Sequence, residues 1–562
     1  MPNETKPKPD CGSTHSPDHI MLSICGDSRR DYAVTWRTST DVTGGYMLYR
    51  EENENDKKST VNGIESPNPY PLTPNPYKRC AAFTKVFESD IDVSHMHCAK
   101  PPDLQPGTRY FYTVGDDMTR SEEFSFATQE ENLDKFKFLL ISDHQCSSPW
   151  EKPSYEPVKS LLKQVFEKHP DIRFILTAGD NCDNGQNGIQ WNGMFEGMKG
   201  YIESVPYMMC TGNHDNRGYL TYLPSPAGKF YLPRAVFFAG QFENSYPLNG
   251  PEGLTGENYA FDYGNAHFAV MGINSPEAVN GWLYDGLQNT GKQWKIGVYH
   301  LPVYPLMPEG TNEDAYPFLR KGIEEGSLDI LVAGHEHSLA RTYPIKNEEM
   351  LDRPSEGVVH YIMGNGGRNI YHSNCRKIWH SAFHPQEEKQ YMYTICEVDG
   401  AKIRFTAYME DGRIADEFIL DKEKDQIYPY ALAPVYDWPK MAFKGMIPEL
   451  ASRNWYPKNI GGEWFCAFGS LAQFAGGTVL RDEDSIYIKF YKIGATFREG
   501  SEIADTSEGD VKLGAPVFRD NGQLYMACAD CAEIFGLVWH YAERNNIIFF
   551  DSLSEDVPLA SN

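Results

Sequence analysis

Over the first quarter of the chain, apolar and polar positions alternate in short runs. Tyr32-Ala-Val-Thr-Trp36 and Gly45-Tyr-Met-Leu-Tyr49 each put apolar side chains on one side of an extended segment, as a half-buried strand requires. Residues 61–79 interrupt the pattern with five prolines and read as a long loop. From about residue 135 the period changes. Phe136-Lys-Phe-Leu-Leu-Ile141 predicts a strand, and Val158, Leu161, Leu162, Val165 and Phe166 recur at helical spacing over 155–169. Ile172-Arg-Phe-Ile-Leu176 is the next strand. Val205–Met209, His267–Met271, Trp294–Tyr299, Asp329–Val332 and Val358–Met363 follow as short apolar runs. Such runs between helices predict an α/β domain with sheets covered on both faces. Residues 391–420 return to β character, with a hairpin signal at Glu410-Asp-Gly412.

The C-terminal part repeats itself. Residues 462–490 and 522–550 align without a gap, matching Gly462 with Gly522, Ala467 with Ala527, Ala472 with Ala532, Gly476 with Gly536 and Ile488 with Ile548. Each copy reads strand, short helix, strand, and two copies predict a small paired domain rather than a solenoid. Leu104-Gln-Pro-Gly-Thr-Arg-Tyr-Phe-Tyr112 resembles the turn-plus-strand near the tyrosine corner of fibronectin III-like sandwiches. The expected organisation is a disordered tail at 1–18 and a fibronectin III-like β-sandwich at 19–130. A central α/β domain at 131–422, a linker at 423–452 and a small α+β tandem repeat at 453–555 follow.

The 562 residues suffice for about three to four domains. A net charge of −26 argues against a nucleic-acid surface, which needs clustered Lys and Arg, and leaves attraction of any anionic substrate to local cations. No run is long and apolar enough to predict a membrane span. Met1 to Pro17 is polar and lacks the apolar stretch of a signal peptide, so the chain is expected either to stay inside the cell or to have lost a leader. The twelve cysteines form no regular framework, and Cys146, Cys182 and Cys210 read as small buried fillers.

Candidate chemistry is concentrated in five segments at the ends of predicted strands: Asp143-His-Gln145, Gly179-Asp180-Asn-Cys-Asp183, Gly212-Asn213-His214-Asp215, His300, and Gly334-His335-Glu-His337. The ordered set supplies the O and N donors that a two-metal hydrolytic centre draws from several strand ends. Asp143 offers a carboxylate to a first ion, and Asp180 has two oxygens that can bridge ions lying roughly 3.5–4 Å apart. Asn213 and His300 serve the second. His335 and His337, two apart in an extended segment, face one side. Glycines 179, 212 and 334 are expected to permit the sharp turns that aim these groups. Without a cation, so many polar groups converging at apolar strand ends would be costly to bury.

This constellation resembles the calcineurin-like metallophosphoesterase superfamily, and within it the purple acid phosphatase branch. Asn258-Tyr-Ala-Phe-Asp-Tyr-Gly-Asn-Ala-His-Phe268 and Tyr361-Ile-Met-Gly-Asn-Gly-Gly367 are similar to stretches flanking the site in that branch. The resemblance implies a four-layer α/β sandwich with one ion held by Asp143, Asp180 and His337 and the other by Asp180, Asn213, His300 and His335. It casts His214 as transition-state hydrogen-bond donor or general acid. With Asp215 and Arg217 beside it, His214 completes the candidate catalytic set, Arg217 contacting a non-reacting phosphate oxygen. The branch carries a tyrosine three residues after the bridging aspartate, where this chain has Asp183, so tyrosinate–iron colour is not expected. Asp183 reads as an outer or loop residue. Gln145 resembles an Asp-x-Gln variant whose amide oxygen replaces an imidazole ligand, and His144 is expected to point away. Arg368, His372, His380 and His384 are further pocket candidates.

The expected activity is metal-dependent hydrolysis of a small phosphate monoester or diester by metal-activated hydroxide, with two Mn, Fe or Zn ions. The rival is a catalytically weak surface or binding protein on the same scaffold. Residues 455–555 resemble the paired domain named after the copper amine oxidase N-terminus, which implies an exported or cell-surface setting and surface attachment or self-association through the repeat. Cys528-Ala-Asp-Cys531 reads as core packing, because copy one has Phe468 and Leu471 at the equivalent places.

Overall fold

The computed structural model describes residues 12–53, 60–61, 64–65, 76–146, 153–217, 234–306, 316–367, 376–384, 388–429, 438–448, 454–543 and 546–552. It divides into two compact units. The first comprises Met1–Tyr304, Thr311–Tyr371 and Glu388–Leu432, and the second Pro305–Gly310, His372–Glu387 and Ala433–Asn562.

The first unit opens with two four-stranded antiparallel sheets. One orders Asp18–Ile24, Tyr32–Ser39, Val93–Ala99 and Phe83–Glu88; the other orders Phe124–Ala127, Arg109–Gly115, Tyr46–Glu51 and Lys78–Ala81. The alternation seen in sequence buries Trp36, Met47, Tyr110, Tyr112 and Phe126 between them. Tyr110 folds back at the corner, its hydroxyl accepting from Gln105 N at 2.7 Å. The expected tail is partly tied down. The Ser13 amide and hydroxyl both donate to Asp92 Oδ2 at 2.6 Å, and Ser39 N donates to Thr14 O. Polar composition alone did not reveal these anchors. Most of the proline-rich 61–79 stretch lies outside the described residues, and Lys78–Ala81 is a strand.

Two larger sheets follow. The first orders Tyr207–Met208, Ile172–Thr177, Lys135–Ile141, Met392–Asp399, Lys402–Met409, Ile414–Asp421 and Gln426–Pro429; its first three strands are parallel and the rest antiparallel. In the second, Ala266–Met271, Trp294–Tyr299, Ile330–Ala333 and Val359–Ile362 run parallel, with Tyr259–Tyr263 and Leu339–Thr342 antiparallel beside them. The sheets meet face to face through aromatic rings. Phe138 and Phe174 from the first lie edge-on to Phe268 of the second at 5.3 Å, and Tyr361 lies 5.8 Å from Phe405. Each such fully buried ring contributes roughly 1.5–3 kcal/mol. The amphipathic helix Glu156–Lys168 turns Val158, Leu161, Leu162 and Val165 into the same core. Parallel strands deliver their carboxyl ends to one edge, and the candidate ligands follow those ends.

The stretch expected as linker contains the strands Gln426–Pro429 and Lys440–Phe443. Prolines at the rims suggested a loop, but Lys440–Phe443 pairs in parallel with Ile547–Ser552, a long-range partner that local composition cannot indicate. In the second unit the same elements recur sixty residues apart. Glu463–Cys466, helix Phe468–Phe474, Thr478–Arg481 and Ser485–Phe490 are followed by Gln523–Ala527, helix Cys528–Phe535, Leu537–Ala542 and Ile547–Ser552. Phe468 and Phe535, one from each helix, stack at 4.9 Å in a shared core.

Candidate metal and phosphoester site

Four of the candidate ligands are held in an uncommon backbone conformation. Asp143, Asp180, His335 and His337 have φ of 48°, 54°, 72° and 50°, in the left-handed region that costs a non-glycine residue about 1–3 kcal/mol and clusters at functional sites. The glycines act differently from expectation. Gly179 does take a positive φ, but Gly212 and Gly334 do not; they make room. A Cβ on Gly212 would collide with the Asp180 carboxylate, and one on Gly334 with Ser142 Oγ and the Asp143 carboxylate.

Six of the seven expected ligands converge. Asp143, Asp180 and His337 are buried, with ligand atoms all within 4.8 Å of one another. His337 Nε2 lies 3.3 Å from Asp143 Oδ1. Asn213 Oδ1 lies 2.9 Å from both His300 Nε2 and His335 Nδ1, and His300 Nε2 is 3.2 Å from Asp180 Oδ2. Surrounding bonds fix each group. Asp143 accepts from Ser142 Oγ at 2.6 Å and His335 N at 2.9 Å, Asp180 Oδ1 accepts from His214 N at 2.8 Å, and His300 Nδ1 meets Ala178 O at 2.7 Å. Burial works against a charged His300, yet the Asp180 carboxylate beside it and the nearby Asp143 push its pKa up to about 9. Burial likewise opposes the Asp180 charge, but the fields of His300 and His214 hold the carboxyl far below its ordinary range. The pocket is thus built to keep two carboxylates ionised beside a positive charge.

The donor set suits a cation. Gln145 is fully buried, and neither its Oε1 nor its Nε2 has a hydrogen-bond partner. An orphaned amide oxygen is costly in a protein interior, and coordination would satisfy it. His144 points elsewhere, its Nε2 2.9 Å from Tyr207 Oη, and burial pulls its pKa down to about 4.

Asp183 lies outside the ligand cluster, where it meets His214 and Arg217. Its Oδ1 lies 2.9 Å from His214 Nδ1 and 3.4 Å from Arg217 Nη1, while Arg217 Nη2 sits 2.6 Å from His214 Nε2. With the guanidinium donating, Nε2 accepts and the imidazole proton rests on Nδ1, which donates to the Asp183 backbone carbonyl at 2.9 Å with the Asp183 carboxylate close by. The only signal in the sequence was the acid three residues after Asp180. Asp215, expected among the reacting groups, is instead a brace. Its buried carboxylate accepts from the amides of Asn181, Cys182 and Gly212 at 3.0, 3.1 and 2.9 Å, and from Asn181 Nδ2 at 3.0 Å, tying two ligand loops together. Burial and the neighbouring Asp180 push its pKa up to about 6. Asn181 and Tyr207, which extend this network, went unnoticed in the sequence. Arg368 and His372 lie outside the described residues. His380 is buried in the second unit, with Nδ1 accepting from Lys377 N at 3.1 Å.

Residues 136–339 match the family described as calcineurin-like phosphoesterase, and residues 17–128 match the purple acid phosphatase N-terminal domain. Among curated proteins, "Probable inactive purple acid phosphatase 9" of Arabidopsis thaliana is 24% identical over 299 residues, covering 47% of this chain and 46% of that protein. Acid phosphatase type 7 of Mus musculus is 24% identical over 395 residues, covering 63% of this chain and 78% of that protein. The chain therefore spans less than two thirds of the length of several curated relatives it matches. A purple acid phosphatase structure from yellow lupin seeds superposes with a TM-score of 0.58 at 17% identity, over 74% of this chain and 78% of that one, a likeness of fold. By these family models, a match to the purple acid phosphatase N-terminal domain precedes a match to calcineurin-like phosphoesterase in this chain.

Proposed function

We propose that the protein is a metal-dependent hydrolase of phosphate monoesters or diesters, working through a two-ion centre. The observation that carries this reading is the convergence of Asp143, Asp180, Asn213, His300, His335 and His337, with the buried, unpartnered Gln145 amide two residues after Asp143. Asp143, Gln145, Asp180 and His337 would hold one ion, and Asp180, Asn213, His300 and His335 the other. Manganese, iron or zinc fits these O and N donors. When bound, such ions supply Lewis-acid polarisation of a phosphoryl oxygen and a water of lowered pKa.

The chain's own groups do the rest. Arg217 gives its guanidinium to a non-reacting phosphate oxygen, and in doing so leaves His214 Nε2. The freed imidazole, its Nδ1 proton held at Asp183, takes up a second proton at Nε2 from solvent and passes it to the leaving oxygen. Asp215 keeps the two ligand loops in register. The Asp183–His214 pair replaces any tyrosinate ligand at this place, so the metal-loaded protein is colourless in the visible range that tyrosinate–iron occupies. The charge of −26 leaves substrate capture to the ions and Arg217.

The competing reading is a binding or surface protein on the same scaffold, favoured by relatives that carry "inactive" in their names. Turnover of p-nitrophenyl phosphate and bis(p-nitrophenyl) phosphate by manganese- or zinc-loaded protein separates them. The hydrolase reading expects activity on at least one ester, abolished by Asn213→Ala. Metal uptake without turnover on either ester supports the binding protein.

A further inference from the structure

The second unit contains a thiol cluster that neither the phosphoesterase site nor the repeat pattern explains. Cys466 ends the strand Glu463–Cys466 of the first copy, while Cys528 and Cys531 lie in the first turn of the helix Cys528–Phe535 of the second. All three are fully buried, and Cys466 Sγ lies 4.0 Å from Cys531 Sγ, with the Cys528 thiol also in hydrogen-bonding reach. Other buried cysteines have backbone neighbours instead: Cys146 Sγ meets His144 O at 3.3 Å, Cys210 meets Met271 O at 3.2 Å and Cys98 meets Asn244 O at 3.4 Å.

The positions are not equivalent within the repeat. Sixty residues away, Cys466 corresponds to Met526, and Cys528 and Cys531 to Phe468 and Leu471. Departures from both copies therefore meet at one point. The strand pairing brings them there: Cys466 stands opposite Met526, and the helix carrying the other thiols begins just beyond that strand.

We propose that Cys466 and Cys531 form a redox-responsive staple between the two copies, closed by thiol–disulfide exchange with a low-molecular-weight disulfide. The Cys531 thiol loses its proton, and its sulfur attacks R–S–S–R and expels one RS⁻. The Cys466 thiolate then displaces the second RS⁻ from the mixed disulfide, forming the Cys466–Cys531 bond. The two protein protons end on two RSH molecules; the protein pair is oxidised by two electrons and the small disulfide is reduced by two. The bond closes a loop between residues 65 apart, removing freedom from the unfolded chain. Burial raises all three thiol pKa values, so exchange proceeds through opened states of this unit and is slow.

The test treats the full-length protein with oxidised glutathione, blocks remaining thiols and maps linked peptides by mass spectrometry. The staple predicts a Cys466–Cys531 peptide, a thermal transition of the second unit raised by several degrees, and loss of both in Cys466→Ser or Cys531→Ala but not in Cys528→Ser. A cooperative thermal transition of the second unit under reducing conditions serves as the folding control for each variant. No linked peptide after prolonged treatment overturns the proposal, as does a bond that instead joins Cys528 to either partner. So does tight binding of cadmium ion that requires all three thiols, which would make the cluster a soft-metal site. The wild-type peptide map decides the pairing even if a variant fails to fold.

Discussion

The two units use buried polar and sulfur atoms in opposite ways. In the first, left-handed backbone occurs at buried ligands: Asp143, Asp180 and His337 are almost wholly inaccessible, and Gln145 is buried with both amide atoms unpartnered. In the second, the non-glycine residues with positive φ are Lys444, Tyr491, Asn521 and Asn546 among those described, all in turns between strands. There the interior is apolar and aromatic, with Phe468, Phe490, Phe535 and Phe550 in mutual contact. Strain and unsatisfied polarity persist only where something over-determines them. In the first unit four left-handed residues meet at the prospective cation site, while Ser327, Asn347 and Glu348 lie in turns away from it; in the second all four lie in turns.

The sharpest way to break this contrast is Asp180→Asn. If the strained loops exist for chemistry, turnover falls on the order of 10⁴-fold while circular dichroism is unchanged; a loss of fold instead would make Asp180 structural. Next comes the Asp183–His214 pair. His214→Ala is expected to lower kcat by about 10³-fold, and Asp183→Asn by roughly 10–100-fold, with less effect on KM. Equal losses in kcat and in metal content would assign both residues to metal retention. In the second unit, Phe468→Ala should cost ~3–5 kcal/mol of stability by opening a cavity, read from denaturant melts, and leave kcat unchanged.

The smallest effect is a pH dependence from buried histidines remote from the ligands. His97 is held between Thr38 and Thr84 hydroxyls at 2.8 Å, and burial, helped by His95, pulls its pKa down to about 4. Burial alone pulls His360, whose ring nitrogens lack partners, down to about 3. Both folded-state values lie below the ordinary 6.5, so the unfolded chain binds more protons. Their contribution is complete above pH 6.5 and is lost as pH falls toward 4 and 3. Between pH 7 and pH 5 each should remove about 2 kcal/mol; His360→Leu should flatten the slope of stability against pH, and an unchanged slope would show that His360 is protonated in the folded state.

How much of this was legible in sequence differs between strands and side chains. Trp294–Tyr299 was read to the residue, and helix 155–169 to within one at each end, because periodicity is a local property. Metal-ligand types after apolar runs marked Asp143 through His337 for the same reason. Contacts made across distance were not legible. Asp183 meeting His214, Asp215 collecting amides from the Asp180 loop, and Lys440–Phe443 pairing with Ile547–Ser552 all depend on tertiary closure. The glycines show the limit well. Their presence beside ligands was visible, but that Gly212 and Gly334 clear space for carboxylates while Gly179 supplies a turn depends on the tertiary fold.

The most direct test of the two-ion centre is an anomalous difference map from crystals grown with manganese or zinc. The account predicts two adjacent peaks on either side of the Asp180 carboxylate, one beside Asp143, Gln145 and His337 and the other beside Asn213, His300 and His335. A map without density there, or with the metal bound only at unrelated surface groups, would contradict it.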